Sequence, residues 1–413
     1  MLLGFLLRRL VTKGTLRVVD AKGEMHSFSG GIAGPTITIR LRDPKLERRL
    51  FYNPRLYLGE AYMDGTLTVE DASVYDFLLF VGENQALAPP SIVTPLYAGF
   101  GRALRVFQQY NPLGQAQKNV SHHYDLSDTL YDLFLDTDRQ YSCAYWPTTD
   151  ISLEDAQANK KRHLAAKLLL APGQKVLDIG CGWGGLAIYL AREANVSVTG
   201  LTLSIEQLKV AERRAAAAGV ADRVKFVLRD YREERDTYDR IVSVGMFEHV
   251  GVPHYRAFFR KVKELLTEDG VALLHSIGRM DGPATTNPWL RKYIFPGGYA
   301  PSLSEVMPVV EKVGMWVTDV EILRLHYAET LKEWRARFLA NRDRVKTLYD
   351  ERFCRMWEFY LAGSEVAFRW GGHLNFQMQL AKRVDAVPLT RDYITDWERS
   401  HVPPLPVRVE RAA

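Results

Sequence analysis

Residues able to do chemistry gather in the middle of the chain. The stretch Asp178-Ile-Gly180-Cys-Gly182-Trp-Gly184-Gly185 comes after a short apolar run and carries four glycines. Glycines there permit a tight turn, a close approach of backbone to ligand and close packing of a helix on a strand. Asp178, just ahead of the first glycine, is placed to take an ammonium group or to orient the loop. Next comes Gly200-Leu-Thr202-Leu-Ser204-Ile-Glu-Gln207. A carboxylate for a nucleoside ribose is the usual feature at this distance from such a loop. Thr202 and Gln207 offer uncharged donors and acceptors instead, and Ser204 has the character of a helix N-cap. Asp230 and Tyr231 suit the edge and face of an adenine ring. Glu248 and His275 close two further apolar runs.

These residues need a scaffold that brings them together. Apolar runs at 175–179, 196–200, 224–228, 240–244 and 271–275 suit buried parallel strands, with helical stretches such as 205–218 and 255–266 between them. Five such units in sequence predict an α/β fold, a doubly wound, mostly parallel sheet of Rossmann type. Ligands on such sheets sit beyond the carboxyl ends of the strands, where all the residues above fall. Upstream, residues 12–70 alternate in the manner of strands and 73–81 reads as a helix. Pro89-Pro90, Pro95, Asn111-Pro112 and Gly114 punctuate the next segment of the chain. The expected organisation is a small N-terminal α+β domain over 1–110 and a catalytic domain over 111–413 with a helical C-terminal extension. In that extension Phe353, Trp357 and Tyr360 share one helical face, suited either to lining an acyl tunnel or to packing on the sheet.

Composition excludes several classes. The 413 residues carry a net charge of only +5, too little to demand nucleic acid, and no basic patch with base-stacking aromatics stands out. A small positive excess does suit visits to an anionic membrane surface. Three scattered cysteines make no disulfide framework and point to a reducing cytosol. The opening Met1-Leu-Leu-Gly-Phe-Leu-Leu-Arg-Arg-Leu10 has its charges after the apolar run, unlike a secretory signal. It reads as a docked amphipathic helix or as a membrane-surface contact. No later stretch approaches the roughly 20 apolar residues a membrane span needs. The expectation is a cytoplasmic protein, peripherally associated with the inner face of the membrane; a homo-oligomer is compatible with the sequence.

The loop with its leading acidic residue resembles the adenosylmethionine-binding loop of class I Rossmann-like methyltransferases more than a nicotinamide loop. Longer motifs carry a closer resemblance. Gln140-Tyr-Ser-Cys-Ala-Tyr-Trp146, Val176-Leu-Asp-Ile-Gly-Cys-Gly-Trp-Gly-Gly185, Ser243-Val-Gly-Met-Phe-Glu-His-Val-Gly251 and Lys292-Tyr-Ile-Phe-Pro-Gly-Gly298 stand in order. They resemble the cyclopropane-fatty-acyl-phospholipid synthase family, related to the mycolic acid cyclopropane synthases. The likeness runs from about 120 to 380, and Gly59-Glu-Ala-Tyr-Met-Asp-Gly65 fits the smaller domain of the phospholipid-acting members. The resemblance implies that Tyr141, Ser142, Gly180, Gly182, Thr202 and Gln207 hold S-adenosylmethionine. It also implies that Cys143, Glu248, His275, Ile277 (through its backbone) and Tyr327 enclose a bicarbonate ion. The implied partners are unsaturated phospholipid acyl chains at a membrane surface.

That pocket is chemically intelligible. Methyl transfer from a sulfonium to an alkene leaves a carbocation, which must be kept from water and lose a methyl proton for the ring to close. An anionic base stabilises the cation and accepts that proton. Glu248 and bicarbonate repel as two anions, so Glu248 is expected to accept a hydrogen bond from the ion's hydroxyl while His275 and Tyr327 donate to its oxygens. Tyr145, Trp146, Phe247 and Tyr299 suit either cation shielding or core packing. The 292–298 stretch reads as a lid or a fixed connector. A methylene or methyl-branched product, and a lipid-binding protein with a vestigial site, are the alternative functions.

Overall fold

The computed structural model describes residues 3–87 and 127–401. The boundary expected near 110 lies outside them. The five expected strands are present as β5 (Lys175–Ile179), β6 (Ser197–Thr202), β7 (Val224–Leu228), β8 (Tyr238–Val244) and β9 (Leu266–Arg279). All pair in parallel: β5 lies between β6 and β8, β7 flanks β6, and β9 flanks β8. Two more strands, β10 (Trp316–Leu323) and β11 (His373–Ala381), complete a seven-stranded sheet in the order β10-β11-β9-β8-β5-β6-β7. Only β11 is reversed, antiparallel to both neighbours. The sheet is therefore mostly parallel and doubly wound, and its order turns back at β5 and β8, where such folds open a ligand crevice.

The helices expected near the C-terminus, His326–Ala340, Arg342–Leu348 and Glu351–Trp370, lie between β10 and β11. They stand over the sheet's carboxyl edge and build an aromatic cluster there with Leu130, Tyr131 and Phe134. Phe353, Trp357 and Tyr360 belong to it: Phe353 stacks on Trp357 at 5.7 Å and Trp357 meets Tyr360 edge-on at 5.2 Å. The helical face is thus core packing throughout, and Tyr360 extends from it toward Tyr141.

The N-terminal part forms a four-stranded sheet, ordered β2 (Met25–Ser29), β1 (Lys13–Val19), β3 (Ile32–Leu41), β4 (Leu67–Val69). The alternating reading of 12–70 fails between β3 and β4, where helices Leu46–Tyr52 and Pro54–Met63 stand. Leu46 and Leu50 recur at helical spacing to bury one side, and Pro54 opens the second helix where its missing N–H costs nothing. The first helix, Gly4–Leu10, docks through Leu3 and Leu7 and leaves Phe5 59% exposed.

This small unit is packed onto the larger one. Its core includes Ala362 and Val366 of the helix Glu351–Trp370. Tyr75 and Tyr62 donate to Glu365 and Glu358 of that helix at 2.9 and 3.1 Å. A Cβ at Gly59 would lie 2.5 Å from Trp289 Nε1, so the glycine lets helix Pro54–Met63 approach that ring. Trp289 leads into the 292–298 stretch, and Glu60 accepts from both Lys292 and Tyr293. The family-like motif at 59–65 thus serves as a support for the loop beside the site.

Candidate active site

A cleft of about 1320 Å³ opens at the carboxyl ends of β5, β6, β7 and β8. All nine residues expected to hold the cofactor line it: Tyr141, Ser142, Asp178, Gly180, Gly182, Thr202, Gln207, Asp230 and Tyr231. Each arrives there for a local reason. The amides of Gly180 and Cys181 both donate to Leu201 O, at 3.0 and 2.9 Å, which curls the loop over the end of β6. Gly184 has φ +82°, and a Cβ there would meet Phe226 Cζ at 2.6 Å, so only glycine lets the following helix pack on the sheet. A Cβ at Gly182 would meet none of the described residues within 4 Å, leaving space beside the backbone for a ligand.

The polar groups differ in how far the chain itself satisfies them. Asp178 is 2% exposed and its Oδ2 has no hydrogen-bond partner among the described residues. Burial pushes its carboxyl up to about 7, against the pull of nearby Lys160. A buried carboxylate oxygen of this kind suits a cationic ligand group such as the cofactor's ammonium. Thr202 donates to Gln207 Oε1 at 2.9 Å, so the hydroxyl steadies the amide and leaves Gln207's NH₂ donors for a ribose. Ser204 caps the helix Ile205–Ala217 as expected, accepting from Gln207 N at 3.3 Å. Asp230 is already engaged: Arg232 holds both its oxygens, through Nε at 2.8 Å and Nη2 at 2.6 Å.

The segment after Gln140 joins the cleft to the aromatic cluster. Tyr141 stacks on Trp334 at 5.1 Å, and its hydroxyl lies 2.8 Å from that of Tyr360. Ser142 accepts from Lys160 Nζ at 3.0 Å and its carbonyl accepts from Gln157 Nε2 at 2.9 Å. Cys143, 1% exposed, then turns into the cluster together with Tyr327 and Ile277. Burial pushes the Cys143 thiol up, so it is a neutral donor.

None of the five residues expected around the ion lies on the wall of the cleft; all are in the packed region adjoining it. Two are directly joined, the Ile277 amide donating to Glu248 Oε1 at 2.6 Å. Glu248 Oε2 has no hydrogen-bond partner among the described residues, and burial pushes the carboxyl up to about 7. His275 is fully buried and neutral, its pKa lowered to about 3 by burial and by surrounding cations, Lys160 first among them. Its Nε2 and Nδ1 each lie 3.2 Å from the side-chain amides of Asn375 and Gln377 on β11. The Ile277 amide is therefore engaged within the protein and each His275 nitrogen faces a side-chain amide of β11, so an ion would bind by exchanging with these groups. The unpartnered Glu248 oxygen fits the expected hydrogen bond from a hydroxyl-bearing anion.

The aromatic residues considered for cation shielding take other places. Phe247 stacks on Tyr255 at 4.4 Å in the core beneath the sheet, and Tyr145 stacks on His163 at 4.1 Å. Trp146 donates to Thr330, and Tyr299 to Glu305. The 292–298 stretch is tied down, with Tyr299 N donating to Glu248 O at 2.9 Å and Phe295 edge-on to Tyr360 at 5.7 Å. Sequence reasoning missed Lys160 and His249, both on the cleft wall. Burial lowers His249 to about 4, which keeps it neutral. Lys160, 1% exposed, is lowered to about 8 by burial. The signal for it was present: Leu153, Ala156, Lys160 and Leu164 recur at helical spacing, which puts a lysine on an apolar face.

Comparison with known proteins agrees with this geometry. The family model described as "Mycolic acid cyclopropane synthetase" matches residues 112–378. The cyclopropane-fatty-acyl-phospholipid synthase of Escherichia coli is 39% identical over 336 residues, 80% of this chain and 84% of that one. A tuberculostearic acid methyltransferase of Mycobacterium tuberculosis is 36% identical, over 89% of this chain and 87% of its own. The solved mycolic acid cyclopropane synthase CmaA1, complexed with SAH and CTAB, superposes with a TM-score of 0.62 at 35% identity, covering 66% of this chain and 99% of that one. Family match, shared fold and glycine-lined cleft together place the chain in the cyclopropane synthase family of adenosylmethionine-dependent methyltransferases.

Proposed function

We propose that this protein methylates the double bond of unsaturated acyl chains in phospholipids and closes the product to a cyclopropane ring, with bicarbonate as the base. The observation that carries the reading is the 140–143 segment, whose Tyr141 and Ser142 line the polar cleft while Tyr141 and Cys143 pack in the dry aromatic cluster beside it. Bound adenosylmethionine supplies a methyl group on a cationic sulfur, an effective leaving group. Asp178 holds the ammonium end, Gly180 and Gly182 admit the ligand against the backbone, and Gln207, steadied by Thr202, reaches the ribose. Asp230 and Tyr231 border the adenine end.

On the cluster side the residues exclude water and manage charge. Tyr141, Tyr327 and Trp334 present ring faces and edges in a region without water, and a cation on an acyl chain brought beside them would be stabilised there. Bicarbonate would accept the methyl proton, and Glu248 Oε2 would receive its hydroxyl hydrogen, which keeps the ion oriented with its basic oxygens toward the substrate. Cys143 and Tyr327 add neutral donors. Incubation with adenosylmethionine, bicarbonate and vesicles of monounsaturated phospholipid tests this reading by mass spectrometry. A gain of one CH₂ with no double bond left to hydrogenate is expected, and no methylated lipid would overturn it. A hydrogenatable product would favour the second reading, a methylene-forming methyltransferase, which the long match to a tuberculostearic acid methyltransferase supports.

Reaching a bilayer lipid requires docking, which we assign to the N-terminal domain. Arg40 and Arg49 are paired with Glu70 and Asp43, whereas helix Gly4–Leu10 presents exposed Phe5 with Arg9 at 4.4 Å from its ring, next to Arg8. An apolar ring beside cations suits the inner face of an anionic membrane. Deleting the whole domain would strip the core from helix Glu351–Trp370, so the clean test is Phe5→Ser with Arg8→Glu and Arg9→Glu. Vesicle co-sedimentation should fall; unchanged binding would sink this assignment.

A further inference from the structure

Lys160 is a cation in an unusual position. It stands on the helix Leu153–Leu168 with 1% of its surface exposed, on the wall of the cleft. A buried ammonium is expensive to desolvate and is normally retained beside a carboxylate. The groups that receive its hydrogen bonds are neutral, Gln140 Oε1 and Ser142 Oγ. No ion pair within 4.0 Å is formed by Nζ among the described residues. Asp136, Asp138 and Asp178 act on it only through longer-range fields, opposed by Lys161. Gln140 is itself held, its backbone amide donating to Asp136 Oδ1 at 2.8 Å and its side-chain Nε2 to Asp138 Oδ2 at 3.1 Å, so this acceptor of Lys160 is fixed in place.

Across the same wall Asp178 shows the opposite condition, a buried carboxylate oxygen without a donor among the described residues. One cleft therefore holds an unneutralised cation and an unpartnered carboxylate oxygen. That pairing is complementary to a zwitterion, the ammonium of a free amino acid group going to Asp178 and its carboxylate to a cation. We propose that Lys160 is the residue that receives the α-carboxylate of the cofactor's methionine moiety, while its bonds to Gln140 and Ser142 hold the 140–143 segment between cofactor and acyl site. The proposal rests on the adenosylmethionine reading of the cleft and adds a residue to it. It also gives the ligand a handle that is independent of the adenosine end.

The experiment compares two ligands on three proteins. S-adenosylhomocysteine and its decarboxylated analogue differ only in the carboxylate, and their Kd values are measured by calorimetry on wild type, Lys160→Gln and Lys160→Met. Glutamine keeps hydrogen-bonding capacity toward Gln140 and Ser142 while removing the charge, which separates charge from packing. Expected is a preference of wild type for the carboxylated ligand by about 10- to 100-fold, the worth of a charge-assisted hydrogen bond, and its collapse in both variants. The decarboxylated analogue should bind all three proteins within about 3-fold, on the same scale. Equal weakening of both ligands would show a purely structural role and overturn the proposal. So would an unchanged preference, including the case where only the bicarbonate response of turnover shifts. Failure of wild type to bind S-adenosylhomocysteine at all would instead overturn the cofactor reading beneath it.

Discussion

Replacing Glu248 by glutamine separates the cost of burying this carboxylate from its use. In the fold one oxygen takes the Ile277 amide and the other has no partner among the described residues, and burial moves the pKa from an ordinary 4.5 to about 7. The native state therefore binds more protons than the unfolded chain between these values, and stability falls as pH rises through them. Each unit is worth about 1.36 kcal/mol, so the full penalty of ionising Glu248 in place is about 3 kcal/mol above pH 7 and under about 1 kcal/mol at pH 5. Glutamine keeps the shape and an acceptor for the Ile277 amide without the ionisation. Glu248→Gln should then gain stability over wild type by up to about 3 kcal/mol at pH 8, less the cost of one unpaired amide, and be nearly equal at pH 5. Urea unfolding at both pH values reads this difference. Turnover should fall by at least about 100-fold, because the group that orients the base is gone. A variant less stable than wild type at pH 8, or one with ordinary turnover, would refute the assignment of Glu248 as a buried carboxylate kept for its chemistry.

Two other changes probe the cofactor half. At pH 6 Asp178, raised to about 7, is mostly protonated, so a ligand ammonium must displace that proton. Binding of S-adenosylhomocysteine by wild type should release close to one proton, seen as buffer-dependent heat, whereas Asp178→Asn should show weaker binding with that release removed. Heat independent of buffer in wild type would contradict the role. Gly184→Ala forces a left-handed alanine whose Cβ meets Phe226 at 2.6 Å, and should cost about 2–4 kcal/mol. An unchanged Tm would mean that the helix–sheet contact yields more easily than its geometry implies.

What could be read in the sequence depends on what each residue must do. The glycine loop was legible because close approach and positive φ restrict the residue type, and Gly184 and Gly182 bear that out in different ways, one by contact and one by open space. The five parallel strands were legible as apolar runs. β11 was not: Leu374, Phe376, Met378 and Leu380 alternate with Asn375, Gln377 and Gln379, a pattern that suggests a solvent face. Those polar side chains are buried instead, Asn375 and Gln377 against His275 and Gln379 against Lys167 O. Lys160 was passed over although its apolar neighbours at helical spacing marked it, since a charge on a helix is normally solvated. The helices between β3 and β4 were missed because each is short and buries only a narrow side. Nothing in local sequence could show that Ile277 N would be spent on Glu248, because that contact forms only when two strand ends meet.

The most direct test of the account tracks the methyl hydrogens. With adenosylmethionine carrying a CD₃ group and vesicles of monounsaturated phospholipid, methyl transfer and then loss of a methyl proton leaves two deuteriums on the new carbon. The account predicts a saturated ring carbon bearing both, resistant to hydrogenation, in a yield that depends on added bicarbonate. A product that keeps all three deuteriums, a simple methyl branch, would contradict it.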